Sequence, residues 1–323
     1  MRSIILIMVL ITATLTGCGV VKDTEVPSGA FPGEYYQVTD DKGNVLEFNK
    51  KPTRIYATTL SIEEILVDLV PLNRIVAISE PAADTKISLI ADKAAHISVK
   101  LPQKASTEKI LSLKPDLVIV QENSNAAFIQ SLKDVGLKVY ITKVPTTVKM
   151  VRSRIINLAA AVGEKQQGGK IINELDNKTE TVKKVIGQIP KSEKKNLMAY
   201  SLLGVFGSAE GLFHDICISA GVTNGAALAG LGRGEHLSKE KIVEVDPDIL
   251  MFSDYSSTQE GDSELFRKEV LDDPALQSIK AIKNKNIIII KDRYRYAASQ
   301  YIGDAICDIA QKTYPEYFDQ INN

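Results

Sequence analysis

The sequence predicts an α/β protein with two similar lobes, each built on a parallel-rich sheet, joined by one long helix. Three observations support this prediction. Short apolar strands alternate with helices of roughly 10 to 15 residues, as in βαβ units. A strand-free helical region divides this alternation into two halves. Finally, the stretch STEKILSLKPDLVIV at 106–120 returns at 238–252 as SKEKIVEVDPDILMF.

The composition is that of a soluble globular protein. The chain has 323 residues, 44% of them hydrophobic and 24% charged, with a formal net charge of −1. This charge gives no support for a nucleic-acid partner. Residues 1–17 combine Arg2, a short apolar run and small residues, which is typical of a secretory signal. Residues 18–34 are rich in Pro, Gly and Ser without periodicity, so we predict a flexible tether.

The N-terminal lobe is predicted over residues 35–147. A turn at 41–44 between two short apolar runs predicts a β-hairpin. Strands are expected at 54–57 and 74–78, with an amphipathic helix at 61–70 between them. The first copy of the repeated stretch follows. In each copy a serine is the candidate N-cap of a helix, Pro-Asp ends that helix, and an apolar strand comes next.

A helical linker is predicted over residues 148–190. It is largely polar with a narrow apolar stripe, as expected of a helix that bridges two folded units. The pair Gly168-Gly169 costs about 2 kcal/mol relative to alanine inside a helix, which favours a helix that starts after it. The C-terminal lobe, residues 191–323, then repeats the order of the first. Cys217 and Cys307 lie in apolar helical patterns and are predicted to be buried free thiols, although export permits a disulfide.

Glu108 and Glu240 occupy the same position in the two copies. Each lies two residues after the candidate N-cap serine, and a carboxylate there is stabilised by the helix dipole by about 0.3–1 kcal/mol. That local effect is sufficient to explain one glutamate. Two equivalent glutamates on two lobes suggest, in addition, that a symmetric partner with two basic points binds both.

The order of these motifs resembles a known family. The motifs are LTGC at 15–18, Y-x-V-T-D-x-x-G in the hairpin, K-P-x-R-I in the next strand, the repeated glutamate unit and the bridging helix. Together they resemble the substrate-binding lipoproteins of ABC importers for iron–siderophore complexes, haem and cobalamin. The resemblance implies two lobes around a ligand cleft, and a linker that permits only small closure. It also implies that Glu108 and Glu240 dock on the two permease subunits, which act with a cytoplasmic ATPase.

The LTGC sequence is similar to a bacterial lipobox. That similarity implies cleavage before Cys18 and lipid attachment to its sulfur. The domain would then be exported and anchored to the outer face of the cytoplasmic membrane, or on the periplasmic side in a diderm. A plain secretory signal with a chance cysteine is the alternative.

Ligands of parallel α/β sheets bind beyond the carboxyl ends of the strands, which selects the candidate ligand residues. In the N-terminal lobe these are Tyr56, Thr58, Glu80, Gln121 and Asn123. In the C-terminal lobe they are Tyr200, Arg233, Tyr255 and the run Arg293, Tyr294, Arg295 and Tyr296. If the run is extended, its arginines share one face and its tyrosines the other. Guanidinium groups suit anionic oxygens, so we expect a ferric siderophore; a solvated surface loop is the alternative.

Other chemistries have weaker support. His96, His214 and His236 are too scattered for a Zn²⁺ or Mn²⁺ site, although His236 is a candidate for haem iron. The glycine-rich stretch at 230–234 lacks the lysine of a P-loop. No catalytic motif is found, so we predict a binding protein without a covalently bound cofactor. Haem or cobalamin remains an alternative ligand. An extracytoplasmic enzyme or adhesion module is the alternative of another class.

Overall fold

The structure is a computed structural model that describes residues 35–202, 204–255, 262–295 and 297–319. The predicted signal and tether, including Cys18, lie outside the described residues, as does Tyr296. In the described part of the chain, no helix is both long enough and apolar enough to cross a membrane.

The N-terminal lobe follows the predicted order of elements with one exception. Its elements are β1 (Tyr36–Thr39), β2 (Val45–Phe48), β3 (Ile55–Ala57), α1 (Leu60–Leu69), β4 (Ile78–Ser79), α2 (Ala91–Ala95), β5 (Lys100–Leu101), α3 (Thr107–Ser112), β6 (Leu117–Gln121), α4 (Ala126–Asp134) and β7 (Val139–Thr142). Strands β1 and β2 form the predicted antiparallel hairpin, and the main sheet has the parallel order β3-β6-β7. The strand expected at 74–78 is shorter and shifted: a 3₁₀ turn covers Leu72–Arg74, Ile75 forms one isolated parallel bridge, and β4 begins at Ile78.

The C-terminal lobe repeats this arrangement. Its elements are β8 (Asn196–Ser201), β9 (Gly204–Phe206), α7 (Leu212–Ser219), β10 (Thr223–Asn224), α8 (Gly225–Leu228), α9 (Lys239–Val245), β11 (Ile249–Ser253), α10 (Asp262–Asp272), α11 (Lys280–Lys283), β12 (Ile287–Ile290), α12 (Asp292–Arg295), α13 (Ile302–Thr313) and α14 (Pro315–Asp319). Strands β10-β8-β11-β12 are parallel, and β9 is added antiparallel to β8.

The register of the two sheets is the same. Leu117 at the start of β6 pairs with Ile55, and Ile249 at the start of β11 pairs with Leu197. On the other side, Val118 pairs with Val139, and Leu250 pairs with Ile287. The repeated stretch therefore folds into the same central strand in both lobes.

Two helices form the connection, with bounds at Val148–Ala161 (α5) and Lys165–Ile186 (α6). Helix α6 begins before the glycine pair, so the expectation that it starts after the pair is wrong. A Cβ atom on Gly168 would lie 2.4 Å from the Cβ of Ala159. The close approach of α5 and α6 explains why the helix contains a residue of low helix propensity.

One apolar core joins the two lobes. Alternate residues of β3 and β6 face it, as do alternate residues of β8 and β11, together with helices α1, α5, α6, α7 and α13. Separate apolar layers cover the opposite face of each sheet. Parallel sheets normally require cover on both faces. Because the inner layer is shared, the bases of the lobes are held together by continuous packing.

Candidate functional site

The two copies of the repeated unit are fixed by matching contacts. Ser106 and Ser238 have the same backbone angles, φ −73° and ψ 157°, and each hydroxyl accepts a hydrogen bond from the N–H three residues on. At the other end, Lys114 and Asp246 both adopt the left-handed conformation, with φ of 49° and 46°. The cap serines agree with the prediction from the sequence, whereas the left-handed residues were not predicted.

The Pro-Asp pair after each helix holds the neighbouring strand. The carboxylate of Asp116 accepts hydrogen bonds from the Thr53 N–H at 2.7 Å and the Arg54 N–H at 2.9 Å. Asp248 accepts one from the Asn196 N–H at 2.9 Å. Each aspartate thus satisfies backbone donors where the adjacent strand begins. This contact gives the repeated Pro-Asp a structural role that is independent of any ligand.

Glu108 and Glu240 are exposed in the first turns of α3 and α9. Each carboxyl accepts a hydrogen bond from its own backbone N–H and from the cap serine, and both contacts lower its pKa below the usual range. Both glutamates are therefore ionised at neutral pH and accessible to a cationic partner. Their role in docking remains a prediction.

The cleft edge of the N-terminal lobe is polar. Thr58 follows β3, and its N–H and hydroxyl both donate to the Ile119 carbonyl, at 3.1 and 3.3 Å. Gln121 ends β6 and is half-buried, whereas Glu80 and Asn123 are exposed on the loops after β4 and β6. Tyr56 contradicts the prediction. It is 2% exposed and packs in the outer apolar layer of the sheet, so it cannot contact a ligand in the cleft.

The cleft edge of the C-terminal lobe is aromatic and cationic. Tyr200 does not match its predicted place in the cleft: it is half-buried, stacks on Phe266 with ring centroids 5.6 Å apart, and packs against the outer apolar layer of its sheet. The Arg295 guanidinium lies 5.2 Å from the centroid of Phe206 and is paired with Asp292 at 3.1 Å. Arg233 is exposed on the loop before α9.

The run from Arg293 is not extended, which corrects the prediction of alternating faces. Asp292–Arg295 is a helical turn, α12, so the side chains spread around an axis. Burial, followed by the negative charges of Asp304 and Asp308, raises the pKa of Tyr294, which places this phenol on the side of α13. Arg293 points the other way and donates to the Ser88 carbonyl of the N-terminal lobe at 3.4 Å.

A second contact crosses the cleft nearby. The Lys86 ammonium of the N-terminal lobe lies 5.3 Å from the centroid of the Tyr255 ring, which is a cation–π contact. The structure therefore brings Tyr255 and Arg293 to the N-terminal lobe at residues 86–88. Lys86 was not predicted, because it lies further along the loop after β4 than Glu80, the residue that the strand end selected.

Three buried charged residues were also missed. Glu63 and Glu64 on α1 are 1% and 4% exposed, and burial raises the pKa of each to about 7. Arg154 on α5 is 2% exposed, and burial lowers its pKa to about 10. Their positions in amphipathic helices gave no signal that these faces would be covered by distant parts of the chain.

Metal-binding and thiol features are limited. Across the described ranges, no three His, Cys, Asp or Glu residues are placed to hold a metal ion. His96 and His236 are exposed, and His214 lies in α7 beside the Asn224 amide. Cys217 and Cys307 are free thiols, the first buried and the second half-buried.

Comparison with known proteins agrees with this architecture. The sequence profile of the periplasmic binding protein family matches residues 55–294. The chain belongs to this family. A relative named an uncharacterized ABC transporter substrate-binding lipoprotein, YvrC of Bacillus subtilis, is 21% identical over 97% of both chains. A Fe(3+)-citrate-binding protein of the same organism, YfmC, is 21% identical over 88% of this chain and 87% of its own.

Solved structures show the same fold. The periplasmic heme-binding protein RhuT from Roseiflexus, in its apo form, has a TM-score of 0.69 at 22% identity, covering 82% of this chain and 98% of that one. CeuE of Helicobacter pylori, in a nickel–histidine complex, has a TM-score of 0.70 at 20% identity, covering 90% and 91%. The predicted two-lobed fold and the predicted family are thus confirmed. As a periplasmic binding protein, the chain is a binding protein and not an enzyme.

Proposed function

We propose that this chain captures an anionic ferric siderophore and delivers it to an ABC permease that works with a cytoplasmic ATPase. A relative named as a Fe(3+)-citrate-binding protein supports an iron chelate as the ligand, and a relative named as an ABC transporter substrate-binding lipoprotein supports delivery to a permease. The observation that carries the proposal is that Lys86 and Arg293 lie on the two sides of one cleft, next to Tyr255, with Arg295 on the same helical turn as Arg293. Guanidinium groups bind carboxylate and catecholate oxygens strongly, and the aromatic rings supply an apolar wall.

The ligand test uses the tyrosines as reporters, because the chain has no tryptophan. Ferric citrate or a ferric catecholate is titrated while tyrosine fluorescence is followed. We expect Arg293→Ala to weaken binding about tenfold or more, the usual effect of removing a charge-assisted hydrogen bond. Arg152→Ala is the matched control, since Arg152 pairs with Asp176 between the linker helices. Equal affinities of wild type and Arg293→Ala would contradict the assignment.

The visible absorption spectrum of the bound ligand distinguishes the alternative ligands. Protein purified from its native host is expected to show the broad charge-transfer band of a ferric siderophore. A Soret band would identify haem instead, and a corrinoid spectrum would identify cobalamin. Both results would contradict the siderophore assignment and keep the importer role.

For delivery, we propose that Glu108 and Glu240 bind basic residues of the permease, one on each lobe. Both are exposed and ionised, on equivalent helices of the two lobes. Glu108→Ala and Glu240→Ala are each expected to lower uptake about tenfold without changing ligand affinity. Glu244→Ala, one turn further along α9 and exposed, is the matched control. Wild-type uptake by the double variant Glu108→Ala, Glu240→Ala would contradict this role.

Anchoring at Cys18 completes the proposal. The lipobox-like LTGC sequence supports it, and it would keep the protein on the outer face of the cytoplasmic membrane or on the periplasmic side in a diderm. Cys18→Ser is expected to abolish incorporation of a labelled fatty acid into the protein in growing cells. Wild-type labelling of that variant would contradict the anchor.

A further inference from the structure

The segment after the ligand turn of the C-terminal lobe is buried under the N-terminal lobe. We name residues 297–301 the latch. Ala297 is 2% exposed and Ser299 is fully buried. The Ser299 hydroxyl donates to the Glu64 carboxyl at 2.6 Å. The Gln300 amide donates to the Glu64 carbonyl and to the Asp68 carboxyl, both at 2.6 Å. Helix α1 therefore holds the latch along one side.

Arg154 holds the latch from α5. Its guanidinium donates to Ser61 and Thr142 of the N-terminal lobe, at 3.1 and 3.3 Å, and to the carbonyl of Ala298 in the latch at 3.3 Å. A buried arginine that loses one of these acceptors would leave a charged group unsatisfied. The contact with Ala298 is therefore expected to be maintained while the lobes stay in place.

The latch is continuous with the residues proposed to bind the ligand. One residue separates it from Arg295, the last residue of α12, and Arg293 lies on the same turn. Both arginines lie just before the latch, which is held against the N-terminal lobe. Because so few residues separate α12 from the latch, immobilising the latch restricts the conformations that α12 can adopt.

We infer that Glu64 and Arg154 are positioning residues: through the latch, they set the location of Arg293 and Arg295 in the cleft, and ionisation of Glu64 loosens that hold. This inference rests on the proposed ligand role of the two arginines. According to this inference, the protonation state of one buried carboxyl in the N-terminal lobe changes the positions of the ligand-binding arginines in the C-terminal lobe.

The groups around Glu64 determine the direction of the pH effect. Burial raises the pKa of Glu64 to about 7. Hydrogen bonds from Ser299 and the Leu89 N–H act in the opposite direction, and the negative charge of Asp68 raises the pKa further.

Other charged and titratable groups surround this carboxyl. Tyr301 of the latch bonds to Asp68, and Lys93 of α2 pairs with Asp68. From α5, Arg154 faces Ala298; on α1 itself, Glu63 bonds to Ser79. Because the neutral form tolerates burial better, the latch is tightest at about pH 4.5 and below, and it loosens as the pH rises from about 4.5 to about 7.

Solvent can reach this cluster. A cavity of about 300 Å³ lies beside it, and Asp68, Gln300 and Tyr301 contribute to its lining. Protons therefore have a route to the latch that does not pass through the ligand cleft.

Hydrogen exchange of the mature chain without ligand tests the latch. After correction for intrinsic exchange rates, we expect protection of peptides covering the latch to fall at least fivefold between about pH 5 and about pH 7. Glu64→Gln should remove this pH dependence. Glu63→Gln is the matched control, because Glu63 is an equally buried neighbour that bonds within its own lobe, and it should keep the wild-type profile. A flat wild-type profile, or an unchanged profile in Glu64→Gln, would overturn the inference.

Ferric citrate titration tests the connection to the cleft. Ser299→Ala removes one hydroxyl and is expected to weaken binding of ferric citrate about threefold to tenfold, with the melting temperature checked to establish folding. Unchanged affinity in Ser299→Ala and Glu64→Gln, with altered exchange, would overturn the positioning role. If wild type fails to bind ferric citrate and a ferric catecholate while the exchange pattern holds, the proposed ligand class is contradicted and the latch itself stands.

Discussion

The two lobes share one scaffold and differ at the cleft. Both have the serine cap, the left-handed residue, the Pro-Asp contact and the same strand register. At the cleft, the N-terminal lobe presents side chains tied to its own backbone, such as Thr58. The C-terminal lobe presents the Tyr255 ring and Arg293, which contact the other lobe, and Arg295 next to the Phe206 ring. The two lobes therefore share the contacts that stabilise the fold and differ in the side chains that would face a ligand.

Helix α1 and its counterpart α7 differ in the charge of their buried side chains. Helix α1 buries Glu63 and Glu64, whereas the buried residues of α7 are Phe213, Ile216 and Cys217. Because the carboxyl pKa values are raised from 4.5 to about 7, the native state holds protons that the unfolded chain has lost. The free energy of unfolding should therefore fall as pH rises from about 4.5 to about 7, by up to about 3 kcal/mol per carboxyl.

The largest expected effect tests that difference. At about pH 8, Glu63→Gln should raise the free energy of unfolding by about 1–3 kcal/mol, because no charge is then buried at this position. Urea denaturation at about pH 5 and pH 8 measures it, and the gain should shrink at the lower pH. Glu174→Gln on the exposed side of α6 is the control. A wild-type stability that rises steadily over this range would contradict the assignment to buried carboxyls.

Removing the two Pro-Asp contacts should have an intermediate effect on the free energy of unfolding, and the effect should differ between the lobes. Asp116→Ala is expected to cost about 1.5–2 kcal/mol, since it removes the acceptor of the Thr53 and Arg54 N–H groups, both exposed to water. Asp248→Ala should cost about 1 kcal/mol, because its carboxylate accepts from the Asn196 N–H. Thermal or urea denaturation of both variants compares the lobes. Equal costs would show that the contact is as strong in both.

The smallest effect should be the same in both lobes. Ser106→Ala and Ser238→Ala each remove an N-cap with a long hydrogen bond, of 3.3 and 3.4 Å, so each should cost about 0.5–1 kcal/mol. A difference of more than about 1 kcal/mol between the two variants would show that the repeated helices are not energetically equivalent. Ser112→Ala at the end of α3 is a control for loss of a hydroxyl.

The amino-acid sequence by itself determined the repeated unit, the alternation of strands and helices, and the family. These features depend on short-range signals: caps, Pro-Asp breaks and apolar periodicity act over a few residues and occur in the chain as written. The positions of Glu108 and Glu240 on exposed first turns followed from the same local rules.

The tertiary structure alone decided which faces are covered. It buried Tyr56 in the outer layer of the sheet, continued α6 through Gly168 where Ala159 approaches, and turned Arg293–Arg295 into a helix. It also brought Glu64 to Ser299, which are 235 positions apart in the chain. No local pattern encodes such contacts, because burial and pKa depend on groups that distant parts of the chain contribute.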